Sequence, residues 1–404
     1  MALSEREQRV CDLIRKRESA LLEDLRLHVG LPTGGGNVDA LSETRERFAT
    51  RAAALGAGTA LAVCTPRPAW LYGETAGKAV PPTLVCDREC ILERREILIA
   101  GHLDTVHDPR GGFRELTISS DGRTATGPGC VDMKGGLVVA MAALEALHEV
   151  EHALAWTLVL NSDEETGSYG SAKTIREVAT RVAKRGGLGI ALEPAAAEGG
   201  LVVERAGSAQ FMIEVRGRAA HVGRDFASGV SAVTELAALV LEITKMGRPE
   251  NGLIVNIGPL QGNEATNVVP DLARAWGNVR FTTPADAEAF ETRLKGLEGV
   301  RDSGASVTAR MNIGRPAKPL TPEVEGFARM CVDAAGDLGQ PLPLAKTGGV
   351  CDGNLMQAAG LPTLDTLGVR GGRLHTPQEW IDLSSLVERC QLLAVVLMRA
   401  SVDR

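Results

Sequence analysis

The chain is poor in aromatic residues and has no long apolar run. Phe, Trp and Tyr make up 3% of the 404 residues, whereas Gly alone contributes 46. No segment reaches the roughly 18 consecutive apolar residues that a membrane-spanning helix needs. The first segment, MALSEREQRVCDLIRKRE, is charged throughout and lacks the apolar stretch of a signal peptide. We therefore expect a protein with no membrane partner and a cytoplasmic location.

An excess of positive charge is also absent. Lys and Arg number 44 against 51 Asp and Glu, which gives a formal net charge of −7. Nucleic-acid-binding proteins usually carry a basic face, so no nucleic-acid partner is expected. The eight cysteines are scattered, and the close pair Cys86 and Cys90 has no second pair to complete a zinc site. We predict reduced thiols and no disulfide framework.

Strand-like and helical segments alternate in the chain after about residue 95. Apolar runs such as EILIAGHLD, AWTLVLNSDEE and LGIALEP are separated by helical patterns such as MKGGLVVAMAALEALHEV. Such runs are typical of parallel strands that are buried on both faces. The fold class is therefore predicted to be α/β, with a mainly parallel central sheet flanked by helices. Before this part, we expect helices to residue 61, with a break at GLPTGGGN, and an irregular stretch to about residue 95.

The pattern changes near Leu201. Strand-like segments of alternating polarity and two helical patterns follow, and the helix–strand order returns after about residue 318. Grouped strands with two helices are typical of an α+β domain, and a chain of this length is expected to form about two domains. We predict a discontinuous domain of residues 1–202 and 316–404. It is interrupted by an inserted α+β domain of residues 203–315 with a four-stranded sheet and two helices.

Residues that can bind metal ions follow several predicted strands. Ligands of open α/β sheets bind at the carboxyl ends of the strands, so these residues are expected to converge. Taken singly, each could be an exposed histidine or an acidic turn, but their joint placement is hard to explain in that way. They are His102 and Asp104 in GHLD, Asp132 in GPGCVDMKGG, Glu164 and Glu165 in SDEE, Glu193 in ALEP and His375 in RLHTPQEW.

This set contains enough ligands for two metal ions if one carboxylate bridges them. Asp132 is the bridging candidate, because its glycine-rich turn lets the backbone approach closely. His102 and Glu193 would complete the site of one ion. Glu165 and His375 would complete the site of the other.

The two remaining acidic residues have different expected roles. Glu164 is free to take a proton from a metal-bound water, and Asp104 suits a position behind His102, where it fixes the imidazole tautomer. The GGG at 34–36 lacks the following lysine of a phosphate-binding loop. Three further histidines are expected to be exposed: His107, His148 and His152.

Five segments in this order resemble the M20 family of metallopeptidases: GHLDTV, GPGCVDMKGG, SDEETGS, ALEP and LHTPQEW. Within the family, the chain is most similar to glutamate carboxypeptidases of the carboxypeptidase G2 type. Aminoacylases, acetylornithine deacetylases and desuccinylases are further relatives. The resemblance implies two zinc ions, replaceable by cobalt or manganese, with the ligands, general base and supporting aspartate assigned above. It also implies a cis peptide bond after Asp132, although Met133 stands where many relatives have a second Asp.

The inserted segment resembles the lid or dimerisation domain of the family. By this resemblance, His221 in GRAAHVGRDF stabilises the substrate oxyanion and reaches across a homodimer. Asn267 and Arg280 in NEATNVVPDLARAWGNVRF hold a substrate carboxylate, and an arginine fork suits that task. The segment KTGGVCDGN implies that Gly348 and Gly349 line the substrate pocket.

Together these features predict a dinuclear zinc hydrolase, an M20 metallocarboxypeptidase or amidohydrolase. Its substrate is a small peptide with a glutamate-type C-terminus or an N-acyl amino acid. Two alternatives remain open: an N-acyl amino acid deacylase, and a non-catalytic relative that binds amino-acid derivatives. A two-metal phosphoesterase is disfavoured by the ligand pattern and by the expected carboxylate-binding arginine.

Overall fold

The structure, a computed structural model, describes residues 2–73, 80–90 and 94–402. Helices and strands alternate along these residues, as the sequence predicts for the part after residue 95. The helices are α1 (Glu5–Lys16), α2 (Glu18–Gly30), α3 (Val38–Ala54), α4 (Lys134–Glu149), α5 (Ala172–Lys184), α6 (Ala232–Thr244), α7 (Pro284–Lys295), α8 (Pro322–Asp337), α9 (Asp352–Ala358) and α10 (Ser384–Ala400). The strands are β1 (Gly58–Ala62), β2 (Thr83–Arg88), β3 (Ile97–His102), β4 (Thr117–Ile118), β5 (Thr124–Thr126), β6 (Trp156–Asn161), β7 (Leu188–Ala191), β8 (Leu201–Arg205), β9 (Gly207–Arg216), β10 (Ile254–Gln261), β11 (Leu272–Phe281), β12 (Gly299–Val300), β13 (Ser306–Arg315), β14 (Leu344–Thr347), β15 (Thr363–Leu364), β16 (Gly371–Gly372) and β17 (Trp380–Asp382).

The central sheet has six strands in the order β1-β2-β6-β3-β7-β15. β3 pairs in parallel with β6 and with β7, and β15 continues the parallel part beyond β7. The predicted mainly parallel sheet is therefore confirmed. The structure corrects two expectations: β1 lies at the end of the part predicted to be helical to residue 61, and β2 lies in the stretch predicted to be irregular. Both are antiparallel strands of this sheet. β1 is mostly exposed. Its short sequence, GTALA, does not show the apolar run by which a buried strand can be predicted.

Helices cover both faces of this sheet. Ile97 and Ile99 of β3 pack into an apolar cluster with α4 and α10, whereas Leu98 and Ala100 pack into another with α5 and α9. Successive side chains of a strand point to opposite faces, so a strand covered on both faces must be apolar throughout. Among the described residues, no helix has both the length and the apolar composition that a bilayer crossing requires.

A second sheet lies in the segment predicted to be inserted. Its strands are antiparallel, in the order β10-β11-β9-β13-β12, and α6 and α7 pack against them. The predicted four strands and two helices are present, and β12 adds a fifth strand of two residues, too short for a sequence pattern to mark. The apolar cluster of this part runs from Ala209 to Ala317 and is separate from those of the central sheet. The boundaries at 203 and 315 stay a prediction.

The chain enters and leaves this second part through two adjacent segments. β8 pairs in parallel with β14 rather than with the second sheet. Just beyond it, the backbone amide of Arg205 donates to Lys318 O over 2.9 Å, and Lys318 N donates back to Arg205 O over 3.0 Å. The side chains of both residues reach the buried carboxylate of Asp365, at 2.8 Å from Arg205 Nη2 and 3.2 Å from Lys318 Nζ. The buried carboxylate of Asp365 therefore binds both of the chain segments that connect the two parts of the molecule.

Candidate metal centre and substrate cleft

His102 ends β3 and is almost completely buried, with 1% of its surface exposed. Its Nδ1 donates to the backbone carbonyl of Asp104 over 2.9 Å. The carboxylate of Asp104 lies farther from that nitrogen, at 3.5 Å. A carbonyl that accepts from Nδ1 leaves Nε2 as the atom available to a metal ion. Asp104 therefore contacts this ring nitrogen mainly through its main chain, whereas the prediction used its carboxylate, and its role in fixing the tautomer stays a prediction.

The carboxylate of Asp104 has another contact. It accepts hydrogen bonds from the backbone amides of Glu164, over 3.2 Å, and Glu165, over 3.0 Å. These two residues begin a short 3₁₀ turn directly after β6. Asp104 therefore connects the end of β3 to the turn that carries the two adjacent glutamates.

The carboxylate of Asp132 lies between the two histidines. Its Oδ1 is 3.2 Å from His102 Nε2, and its Oδ2 is 3.4 Å from His375 Nε2. Glu165 Oε2 is 3.3 Å from the same His375 nitrogen. Ligand atoms of His102, Asp132 and Glu165 all lie within 4.8 Å of one another. Five chain segments were expected to converge at this edge, and these contacts bring four of them together.

Glu379, which the sequence analysis missed, positions the loop that carries Asp132. Its carboxylate accepts from the backbone amides of Gly129 and Val131, each over 3.0 Å, and of Asp132, over 3.1 Å. His107 Nε2 lies 2.6 Å from the same group. The only sequence signal was its position in LHTPQEW, four residues after His375. The cis peptide bond Asp132–Met133 that the resemblance implied is present.

His375 is positioned differently from His102. It lies in a loop, its backbone has a φ of +62°, and its side chain is 53% exposed. Non-glycine residues seldom adopt this left-handed conformation, which is often found at functional sites. His375 therefore forms an exposed side of the cluster.

The fifth predicted ligand, Glu193, is buried just after β7, with 9% of its surface exposed. Burial raises its pKa well above the ordinary value, and the negative charges of Asp132 and Glu164 raise it further. For His102, burial alone would lower the pKa, but its contacts with Asp104 and Asp132 raise it. Several carboxylates and two imidazoles thus share one largely buried site. Such a donor set suits divalent cations, which bind N and O ligands and compensate clustered negative charge.

Arg315, a second residue that the sequence analysis missed, contacts Glu164. Its Nη2 lies 3.0 Å from Glu164 Oε1 and 3.0 Å from Asp352 Oδ1, and it donates to Ser168 Oγ over 2.6 Å. Burial raises the pKa of Glu164 to about 7, and the positive charge of Arg315 opposes that rise. Arg315 ends β13, where the sequence NIGRP gave no reason to single it out.

A cleft of about 480 Å³ opens beside the cluster. Glu164, Glu165 and His375 line one side, and Arg280 and Gly349 line other parts of it. The guanidinium of Arg280 donates through Nε to Asn278 Oδ1 over 3.0 Å, and its second-sheet strand, β11, carries it to the cleft. Carboxylates of the cluster and the guanidinium of Arg280 therefore line the same cleft.

The other predicted substrate residues do not meet at this cleft. His221 and Asn267 are exposed neighbours in the second part of the molecule, where His221 forms a β-bridge with Val268 and Val222 N donates to Asn267 O over 3.1 Å. The described contact of the His221 ring is with the backbone amide of Gly223. Gly348 is exposed, and of the predicted glycine pair Gly349 lines the cleft.

Comparisons with known proteins agree with the sequence resemblance. The protein-family model described as "Peptidase family M20/M25/M40" matches residues 98–399 of this chain. Carboxypeptidase G2 of Pseudomonas sp. is 28% identical over 319 residues, which cover 75% of this chain and 74% of that protein. A succinyl-diaminopimelate desuccinylase of Gluconacetobacter diazotrophicus is 25% identical over 316 residues, 75% of this chain and 80% of its own. Among solved structures, the YXEP protein of Bacillus subtilis, described as a dinuclear metal binding peptidase from the M20 family, has a TM-score of 0.66 at 16% identity. That match covers 95% of this chain and 98% of the other.

Proposed function

The chain belongs to peptidase family M20/M25/M40, and from that premise we propose that it is a dinuclear zinc hydrolase. It cleaves the amide bond of a small substrate that carries a carboxylate, either a peptide with a C-terminal glutamate-type residue or an N-acyl amino acid. The ligands are His102, Asp132, Glu165, Glu193 and His375, and cobalt or manganese can replace zinc.

One observation carries this proposal. The two oxygens of Asp132 face two different histidines, at 3.2 Å and 3.4 Å. A carboxylate with an imidazole near each oxygen could be shared between two metal ions, and His102, Asp132 and His375 would then help to hold both. An ordinary salt bridge would need neither the second imidazole nor the adjacent carboxylate of Glu165, 3.3 Å from His375.

The bound ions would supply Lewis acidity, which polarises the substrate carbonyl and makes a water molecule a stronger acid. The protein residues perform the remaining steps. Glu164 takes the proton of the attacking water and passes it to the departing amine nitrogen. Arg280 binds the substrate carboxylate next to the scissile bond, which orients the amide in the cleft.

His221 and Asn267 act in this proposal from a second copy of the chain. Both are exposed, and both lie apart from the cleft lined by Arg280. In a homodimer formed through the inserted domain, they would reach the cleft of the other copy, where His221 stabilises the oxyanion. Asn267 would add a contact to the substrate carboxylate.

The second candidate within the same chemistry is an N-acyl amino acid deacylase. The similarity to a desuccinylase over 80% of that protein favours it. A panel of acetyl, succinyl and glutamyl amides of one amino acid separates the two activities by their kcat/KM values. A non-catalytic binding role is disfavoured because Glu164 and all five candidate ligands are present.

Metal analysis and an amide-hydrolysis assay test the proposal. Glu164→Ala should keep about two metal ions per chain and lose roughly 10²–10⁴-fold in kcat, the usual contribution of a general base. Glu177→Gln, an exposed carboxylate on α5, is the matched control and should behave as the wild type. Full turnover by the Glu164→Ala variant would contradict the assignment of the base, and a chain that binds no divalent metal would contradict the proposed function.

A further inference from the structure

Alternate residues of β11 lie on the face of the second sheet that borders the cleft. Ala275 and Val279 pack into the apolar cluster of this part together with residues of α6 and α7. Successive side chains of a strand point to opposite faces, so Trp276, Asn278 and Arg280 share the other face. Asn278 and Arg280 both line the cleft. A row of three side chains, two residues apart, therefore leads along β11 to the residue expected to bind the substrate carboxylate.

Trp276 connects this strand to the first part of the molecule. Its indole nitrogen donates to Trp70 O over 2.6 Å, and its ring centre lies 5.2 Å from that of Tyr72. The side chain is nearly buried in this contact, since 9% of the residue is exposed. Arg280 follows four residues later, about 13 Å along the strand. The contacts of Trp276 thus hold β11 close to the part that carries the metal cluster.

Asn278 contacts the guanidinium group of Arg280 directly. Its Oδ1 accepts from Arg280 Nε over 3.0 Å. Its Nδ2 donates to Ser208 Oγ over 3.1 Å, and Ser208 lies opposite Arg280 on β9. Because the amide nitrogen has this acceptor, the amide oxygen faces the guanidinium group. Both ends of the Asn278 side chain are therefore engaged, and its orientation is defined.

This contact determines which donors of Arg280 remain for a substrate. A guanidinium group has one N–H on Nε and two on each terminal nitrogen. A carboxylate can bind to its side, through Nε and one terminal nitrogen, or to its end, through both terminal nitrogens. Since Nε donates to Asn278, the end remains. A planar group held in this way offers a carboxylate one bidentate position.

The charge of Arg280 is not neutralised by this contact, because an amide is uncharged. The carboxylates of Glu164 and Glu165 also line the cleft, but their described ion pairs are with Arg315 and His375. Burial lowers the pKa of Arg280, and no charged group of the described residues contributes to that shift. Within the described residues, the guanidinium group therefore has an orienting partner and no carboxylate partner.

We propose that Asn278 is a positioning residue that acts through Arg280. It turns the two terminal nitrogens of the guanidinium group towards the substrate carboxylate, and as a neutral partner it leaves the positive charge to that carboxylate. This inference rests on the proposed function, since it assumes that Arg280 binds a carboxylate next to the scissile amide. Asn278 then sets the preference for a free carboxylate over an uncharged group of the same shape.

Two substrates of equal size test this preference. In acetyl-isoglutamine, a primary amide replaces the α-carboxylate of acetyl-glutamate. The wild type should have a kcat/KM at least about 100-fold higher for acetyl-glutamate, because a charge-assisted bidentate contact is lost with the amide. Equal values for the two substrates would overturn the inference.

Two variants of Asn278 should act on different kinetic constants. Asn278→Asp places a carboxylate next to Arg280 and should raise KM for acetyl-glutamate at least about tenfold with little change in kcat, because binding is lost from the ground state and the transition state alike. Asn278→Ala removes the orienting acceptor and should lower kcat about tenfold with a smaller change in KM. Both variants should hydrolyse acetyl-isoglutamine as the wild type does. An equal loss on both substrates would show a merely structural role and overturn the inference.

A double variant separates positioning of Arg280 from a direct contact between Asn278 and the substrate. In an Arg280→Gln background, Asn278→Ala should have no further effect on acetyl-glutamate, because the residue through which it acts is gone. A further loss in this background would overturn the inference.

Asn312→Asp is the matched control. Asn312 lies in the same cross-strand row as Asn278, two strands away on β13, and about 10 Å from it. The same substitution there should leave KM unchanged. A rise in KM equal to that in Asn278→Asp would reflect added negative charge anywhere on this face, and would overturn the inference.

Failure of the proposed function can be told apart from failure of this inference. If the metal-loaded protein hydrolyses neither these two compounds nor the other amides of the substrate panel, the proposed function fails. Binding of acetyl-glutamate and acetyl-isoglutamine to the metal-loaded protein, measured by calorimetry, then decides on Asn278. A preference for acetyl-glutamate that Asn278→Asp removes and Asn312→Asp keeps supports the positioning role. Equal affinity for the two compounds, or a preference that Asn278→Asp leaves intact, overturns it.

Discussion

The candidate metal cluster and the His221–Asn267 region present their functional groups in opposite ways. At the edge of the central sheet, His102 and Asp132 are buried and contact each other, and the Asp132 loop is held by Glu379. In the second part of the molecule, His221 and Asn267 are exposed, and the described contacts there are mainly with backbone groups. One chain therefore assembles the cluster by itself, whereas it displays the other two residues at its surface, available to a second molecule.

The largest effect should come from the centre of the buried region. Asp132→Ala removes the carboxylate that faces both histidines and should abolish tight binding of both ions, with a loss of activity on the order of 10⁴-fold. The loss of metal is measured as metal content after gel filtration, and the loss of activity is measured as kcat on a good amide substrate. Asp225→Ala, four residues from His221 and exposed, is the control for the other region. The contrast between the regions fails if both variants keep their metal equally well.

The second-largest effect on activity is expected from the exposed His221–Asn267 region. His221→Ala should lower kcat by about 10²- to 10³-fold, the usual cost of removing an oxyanion donor. Co-expression of His221→Ala with Glu164→Ala should restore activity, because in a mixed dimer one cleft has Glu164 from its own chain and His221 from the other. Differently tagged chains purified in tandem provide the measurement. If the mixed dimers stay as inactive as either parent, His221 does not act across an interface.

A smaller effect is expected from the support of the metal loop. Glu379→Gln weakens the acceptor of three backbone amides around Asp132 and should reduce metal affinity by about 10–100-fold, as changes behind metal ligands do. Competition with a chelator gives the affinity. Glu388→Gln, a partly exposed partner of Arg370, serves as control. An unchanged affinity in Glu379→Gln would show that the loop keeps its geometry without this carboxylate.

The smallest effect is expected from two histidines near the end of α4, of which His152 is buried and His148 is exposed. Burial lowers the pKa of His152 to about 4, and the charges of Arg6 and Arg94 act in the same direction. The unfolded chain binds a proton as the pH falls through about 6.5, but the folded chain does so only near pH 4. Stability is therefore lost as the pH falls through this window.

His152→Gln removes this loss. Between pH 7 and pH 5, the free energy of unfolding of the wild type should fall by about 1–2 kcal/mol more than that of the variant. Urea unfolding at the two pH values provides the measurement. His148→Gln changes an exposed histidine at the end of α4 and should follow the wild type. A variant at position 152 with the same acid sensitivity as the wild type would exclude His152 as the source.

The sequence predicted the parts of the site that follow regular strands. His102 and Glu165 come after apolar runs that are buried on both faces, so the edge at which they lie followed from the parallel sheet. His375 was harder to place, because the apparent strand before it is only Thr363–Leu364. The family resemblance made up for this short strand, and the family model confirms the resemblance.

Contacts between distant segments could not be predicted in the same way. Glu379 and Arg315 matter through what they touch, Asp132 and Glu164, and no local pattern encodes these pairs. The expectation that His107 and His152 are exposed is wrong: His107 lies against Glu379, and His152 has 7% of its surface exposed. Both histidines lie in polar stretches, which periodicity assigns to the surface. His148 is exposed as predicted.

The two connecting chain segments, which are paired at Arg205 and Lys318, have a consequence for protein engineering. Because the two backbones exchange hydrogen bonds and share Asp365, Ala206 and Ala317 lie at neighbouring ends. Deleting the residues between them and closing the gap with a tight Asn-Gly turn would keep every hydrogen-bonded partner of the central sheet. The same two ends are natural splice points at which the excised module could be exchanged for that of a relative.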